Sequence, residues 1–156
     1  MDPNFHPRFE GFFVKNIQNG KDGDFACILT RHGQVLGRVW TDRGSAVFMS
    51  LAAEDETALR ELALRLDPLD QETGMLMLEL LEAAELDPLS TRYQIVRTAP
   101  DPDHPLGLRT QQQLPLTLTL DDLTQLARHP HFSPGLTDYY VRHRGWQPLP
   151  LTPVAS

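Results

Sequence analysis

Apolar residues recur along this chain with two different periods, and the change between them organises its first half. Phe12, Phe13, Val14 and Ile17 begin a short apolar stretch, which a polar loop over residues 18–23 closes. Residues 25–29 form a continuous apolar run. Residues 30–34 are polar and carry Gly33, the composition of a hairpin turn. Over residues 35–40 alternate positions separate Val35, Gly37 and Val39 from Leu36, Arg38 and Trp40, as the two faces of a strand would. A turn at residues 41–45 leads to a third apolar stretch at 46–51. Short turns force neighbouring strands to run antiparallel, so residues 25–51 predict a three-stranded meander.

The period then lengthens. Ala58, Leu59, Leu62, Ala63 and Leu66 are spaced by three and four residues, which predicts a helix with one apolar stripe. Glu54, Asp55 and Glu56 place negative charge on its first turn, where the helix dipole favours it. Asp67-Pro68 reads as an N-cap followed by proline at the first helical position. The second helix would run to about Leu86, with Met75, Met77, Leu78, Leu81 and Ala84 packed inward. Such a helical hairpin would cover one face of the meander.

The second half predicts a strand over 91–98, an exposed proline-rich loop over 99–107, and an edge strand over 114–120. Thr119 or Asp121 would cap a short helix ending near Arg128. Ser133-Pro134 repeats the cap-then-proline device, and Gly145 reads as the end of a last helix over 134–144. Residues 1–10 read as a loose arm and 147–156, with three prolines, as a mobile tail. The expectation is an α+β fold: a three-stranded antiparallel meander under a helical hairpin, additional strands and a C-terminal helix. It forms one domain over 1–146.

The length of 156 residues suffices for one hydrophobic core. Cys27 is the single cysteine, so no intramolecular disulfide can form. Residues 75–81, the longest strongly apolar run, contain Glu79 and are too short to cross a bilayer. Asp2, His6, Arg8 and Glu10 do not fit a signal peptide. A cytoplasmic protein without a membrane partner is therefore expected. The net charge of −7 is concentrated: residues 51–90 hold 11 acidic and 2 basic residues, whereas the segments on either side are each slightly basic.

Candidate chemistry is sparse. Cys27 lies in an apolar strand with no local cation or base to stabilise a thiolate, so a buried, inert thiol is expected. His129 and His131 are a close pair but lack the further ligands of a metal site, with His143 and Asp138 the nearest candidates; an ordinary loop is favoured and no metal or cofactor is expected. Glu72, Glu79, Glu82 and Glu85 would form an acidic helix face, a candidate protein-binding surface rather than an acid–base pair. Arg128, Tyr139, Arg142, Arg144 and Trp146, with neighbouring histidines, are the best candidates for a nucleic-acid patch, since arginine contacts phosphate and aromatic rings stack on bases. No dinucleotide fingerprint, phosphate loop, nucleophile elbow, HExxH or CxxC pair is present.

The run of features Ile28-Leu29, Arg31-His32-Gly33, Gly37-Arg38-Val39, Asp42-Arg43-Gly44, Val47-Phe48-Met49 and Glu54-Asp55-Glu56 resembles a group of short phage- and plasmid-encoded proteins of unknown function. Their order is strand, turn, Gly-x-Val strand, Asp-x-Gly turn, strand and acidic helix. This chain lacks the glycine-rich extension usual in the second turn. The resemblance implies a mobile-element accessory protein and assigns no catalytic residue. The expectation is a non-enzymatic protein-binding module, an adaptor or inhibitor. The alternative is a nucleic-acid-associated protein using its C-terminal basic and aromatic residues. Open meander edges would also allow a homodimer.

Overall fold

The computed structural model describes residues 5–42, 46–103, 108–132 and 134–150. Within them the fold is α+β, with three α-helices and eight strands in two antiparallel sheets. The chain divides into two compact units, Met1–Glu85 and Leu86–Ser156, where the sequence reads as one domain.

In the first unit the expected meander gains a strand at its start. β1 (Phe12–Asn19), β2 (Phe25–Arg31), β3 (Gln34–Asp42) and β4 (Ala46–Ser50) lie side by side in chain order. Val14 pairs with Leu29, and Cys27 with Val39, which pairs in turn with Met49. These residues share one face, because side chains two apart on a strand point the same way. Against that face pack Leu59, Leu62 and Ala63 of α1 (Ala53–Leu66) and Leu76, Met77 and Leu80 of α2 (Gly74–Leu89). At Gly37, opposite Leu29, an added Cβ would sit 2.0 Å from the carbonyl oxygen of Ser50, so any side chain there would force the backbone to shift.

Three details depart from the sequence reading. The expected loose arm is docked over its described part. Residues Pro7–Phe9 form a 3-10 turn, His6 and Phe9 are buried, and the His6 ring stacks on Phe13 at 5.5 Å. Asp67 ends α1 instead of starting α2, its backbone N–H donating to the Ala63 carbonyl at 2.9 Å and its carboxylate accepting from the Leu69 N–H. Buried Asp70 caps α2, accepting the N–H groups of Met75 and Leu76 at 3.0 and 2.9 Å. The later start goes with a different inward face. Leu76, Met77, Leu80, Ala83 and Leu86 are buried, Leu81 and Ala84 are half-buried, and Met75 and Leu78 are exposed.

The second unit is built on β5 (Tyr93–Thr98), β6 (Gln111–Pro115), β7 (Leu136–Val141) and β8 (Gly145–Pro148), in the order β6-β5-β7-β8. One face, with Val96 and Leu136, packs on Leu123 of α3 (Leu120–Leu126) and on Ala127 and Leu149. The other, with Ile95 and Tyr140, packs on Leu86 and Leu89 and on Trp146. Thr119 caps α3 as expected, in a reciprocal box with Asp122. The expected C-terminal helix over 134–144 is instead β7 and the turn into β8. Tyr139, Tyr140 and Val141 suit a strand, and Gly145, at φ +80°, serves the hairpin rather than ending a helix. Residues 147–149 are likewise strand and core, not tail: the Leu149 N–H donates to the Thr137 carbonyl at 2.8 Å. The expected turn at 41–45, the loop at 99–107, the cap at Ser133 and the last six residues lie wholly or partly outside the described residues.

Candidate functional site

The surface that the fold leaves least satisfied lies at the linked ends of α1 and α2. A surface helix ordinarily has one apolar stripe and a polar remainder. α1 follows this rule, with Glu54, Glu61 and Arg65 exposed opposite Leu59 and Leu62. α2 does not, because its sequence Met75-Leu76-Met77-Leu78-Glu79-Leu80-Leu81 supplies apolar side chains all round. Once Leu76, Met77 and Leu80 are buried, Met75 and Leu78, one turn apart, are left 54% and 56% exposed. Leu69 in the connection is 87% exposed and Leu64, near the end of α1, 42%.

The acidic residues singled out on this segment have different surroundings. Glu72 is exposed but lies in the turn before α2. Glu79 is engaged by Arg8 in a two-pronged ion pair, with both N···O distances 3.0 Å. That bond raises the Arg8 pKa above its ordinary value. Glu82 is half-buried, and Glu85 is exposed. The nearby cations are also committed: Arg60 pairs with Glu56 at 3.0 Å, and Arg65 with Glu10. Exposed apolar groups with carboxylates around them therefore characterise this end of the unit.

The C-terminal basic and aromatic residues are brought to one unit but not to one surface. Tyr139 pairs with Gln147 and Tyr140 with Trp146, so Tyr139 and Trp146 lie on opposite faces of the sheet. Tyr139 packs into the core beneath α3. Trp146 meets Tyr140 edge-on at 5.4 Å and carries the Arg97 guanidinium over its ring at 4.4 Å. Arg142 and Arg144 are exposed in the β7–β8 turn, and Arg128 is exposed just after α3. His143 takes φ +66° in the same turn, and its backbone N–H and the Tyr140 hydroxyl both donate to one oxygen of buried Asp87, at 3.2 and 2.7 Å.

The remaining candidates carry less. The Cys27 thiol is buried, and desolvation pushes its pKa up to about 11, which suppresses the thiolate. His129 Nδ1 accepts the His131 N–H at 3.0 Å, and both rings are on an exposed turn. Among the described residues no group of three or more His, Cys, Asp or Glu is placed to hold a metal ion, and no helix is long and apolar enough to cross a membrane.

Two arrangements fall outside the candidates that the sequence offers. On the outer face of the meander, Trp40 stacks on exposed Phe48 at 5.9 Å, Arg38 lies 5.2 Å from the Trp40 ring, and Lys15 is exposed. The alternation that placed Arg38 and Trp40 on one side of a strand was the available signal. In the second unit Arg97 and Arg109 both reach Asp138, a contact across three separate chain segments that no local pattern announces. No protein-family model, curated protein or solved structure matches the chain.

Proposed function

We propose that this protein is a non-enzymatic protein-binding module that docks its partner on the linked ends of α1 and α2. The observation that carries the reading is the exposure of Met75 and Leu78 on a helix whose opposite side is already buried. Methionine and leucine beside flexible acidic side chains suit an interface with an apolar centre and a charged rim. Glu61 and Glu72 set the complement: a partner presenting an apolar patch bordered by lysine or arginine. An adaptor or inhibitor of this kind accords with the resemblance to mobile-element accessory proteins.

The test is a pull-down from host lysate at low and high salt, comparing wild type with the double variant Met75→Ser, Leu78→Ser. The reading expects one dominant protein that survives high salt and is lost with the variant, whose melting temperature stays close to wild type. A partner retained equally by both proteins, or no protein captured, would remove it. A second copy as the captured species would establish a homodimer through this surface.

The outer face of the meander favours a second reading, nucleic-acid association, with residues other than the C-terminal set. Stacked Trp40 and Phe48 beside Arg38 and Lys15 combine rings and cations as single-strand binders do. A mobility shift lost as salt rises and abolished by Trp40→Ala would support it; no shift at low salt would end it.

A further inference from the structure

The second unit holds a pair of arginines whose charge its own carboxylate does not balance. Arg97, on a central strand, and Arg109, just before β6, converge on the same oxygen of Asp138. Arg97 Nε donates to Asp138 Oδ2 at 3.1 Å, Arg109 Nη1 donates to it at 3.0 Å, and the Thr137 hydroxyl donates at 3.0 Å. Asp138 is the one carboxylate within ion-pair distance of either arginine among the described residues. The next acidic group along the chain, Asp101, instead accepts the Asp103 N–H at 2.9 Å.

Both guanidiniums are held in place. Arg97 and Asp138 face each other across the β5–β7 ladder, and the Arg97 guanidinium lies over Trp146. The backbone beside Arg109 is fixed by Thr110, whose N–H donates to Thr98 Oγ1 and whose carbonyl accepts from the Thr98 N–H, each at 3.0 Å. The side chains are 24% and 32% exposed, so both are partly withdrawn from water. Neither makes another hydrogen bond among the described residues, although a guanidinium has further N–H groups in a planar fork. One carboxylate against two guanidiniums leaves a surplus positive charge, preorganised and open to solvent.

The geometry points to an oxyanion-binding site formed by Arg97 and Arg109, with Asp138 as its resident competitor. The ligand group is a phosphoryl or a carboxylate, the two chemistries that a guanidinium fork pairs with in two-pronged fashion. The site is independent of the surface proposed on α1 and α2.

The experiment is an NMR titration of the full ¹⁵N-labelled chain with sodium phosphate and, separately, sodium acetate. Sodium chloride at matched ionic strength is the control. Saturable shifts of the Arg97 Nε–Hε and Trp146 indole signals, absent with chloride, are expected. Tighter binding of phosphate assigns a phosphoryl group, and tighter binding of acetate a carboxylate. Arg109→Gln should weaken binding roughly tenfold, the loss of one charge-assisted contact. Asp138→Asn should tighten it by removing the competitor, and decides the matter if Arg109→Gln does not fold. The absence of saturable shifts in both wild type and Asp138→Asn would overturn the site. So would shifts that chloride reproduces.

Discussion

The two units solve the same problem, covering a four-stranded antiparallel sheet, in different ways. The first covers one face with a pair of helices and gathers its buried residues into a single cluster. Its other sheet face stays partly open and carries Trp40 and Phe48. The second packs both faces, α3 on one side and the last turn of α2 on the other, and its apolar residues split into two small clusters. A small cluster buries little apolar surface, so polar contacts have more to contribute there. Accordingly, in the second unit Asp87 draws donors from β7 and the turn after it, and Asp138 from β5 and the segment before β6, whereas the ion pairs of the first lie at its surface. The first unit is held mainly by apolar volume, with apolar surface to spare, and the second is pinned in addition by carboxylates that join distant chain segments.

Substitutions should expose that difference, beginning with the single core. Leu80→Ala removes a fully buried side chain from the first unit and should destabilise it by about 2–5 kcal/mol, measured by urea denaturation. Gly37→Ala should cost about 1–3 kcal/mol, because the added methyl meets the Ser50 carbonyl; a neutral result would mean that β4 shifts freely. In the second unit Tyr140→Phe keeps the ring and deletes only the hydroxyl that donates to buried Asp87. It should cost about 1–3 kcal/mol, more than an exposed tyrosine hydroxyl would. If the melting curve does not move, the polar-joint account of this unit fails.

The smallest effect concerns pH. The Asp122 pKa is lowered, first by the Thr119 backbone N–H and then by the Thr119 hydroxyl. A depressed folded-state pKa means that the cap's contribution is present above the unfolded value and fades as pH falls through the folded one. A ¹³C-detected titration should show the Asp122 carboxyl titrating below an ordinary aspartate, and Thr119→Ala should return it toward that value.

Much of the first unit was legible in the sequence because its signals are local. Period-two alternation and glycine-bearing turns specify β2 to β4, and a clear three–four spacing specifies α1. α2 departs from its sequence pattern in two ways, each for one physical reason. Its cap, Asp70, acts on N–H groups five and six residues ahead, beyond the usual capping spacing. A helix apolar all round also has no dominant stripe, so its inward face is chosen by tertiary packing, which turns Met75 and Leu78 outward. In the second unit Pro134 and Gly145 resembled a helix start and stop, and outweighed the strand-favouring Tyr139-Tyr140-Val141 between them. The exposed Met75–Leu78 surface and the Arg97–Arg109 pair depend on which residues the fold leaves over, and those are known only once the rest has packed.

The irregularity in β1 has a consequence for how copies of this chain meet. The β1–β2 register breaks between Lys15 and Gln18, and Asn16 sits at φ +51° in the gap. A straight outer strand would offer an incoming chain an unbroken row of amides and carbonyls, the template from which fibrils grow. With its rhythm interrupted midway, this border cannot be extended in register over its full length. The meander thereby carries a guard against runaway polymerisation at the edge where its longest unpaired backbone would otherwise lie.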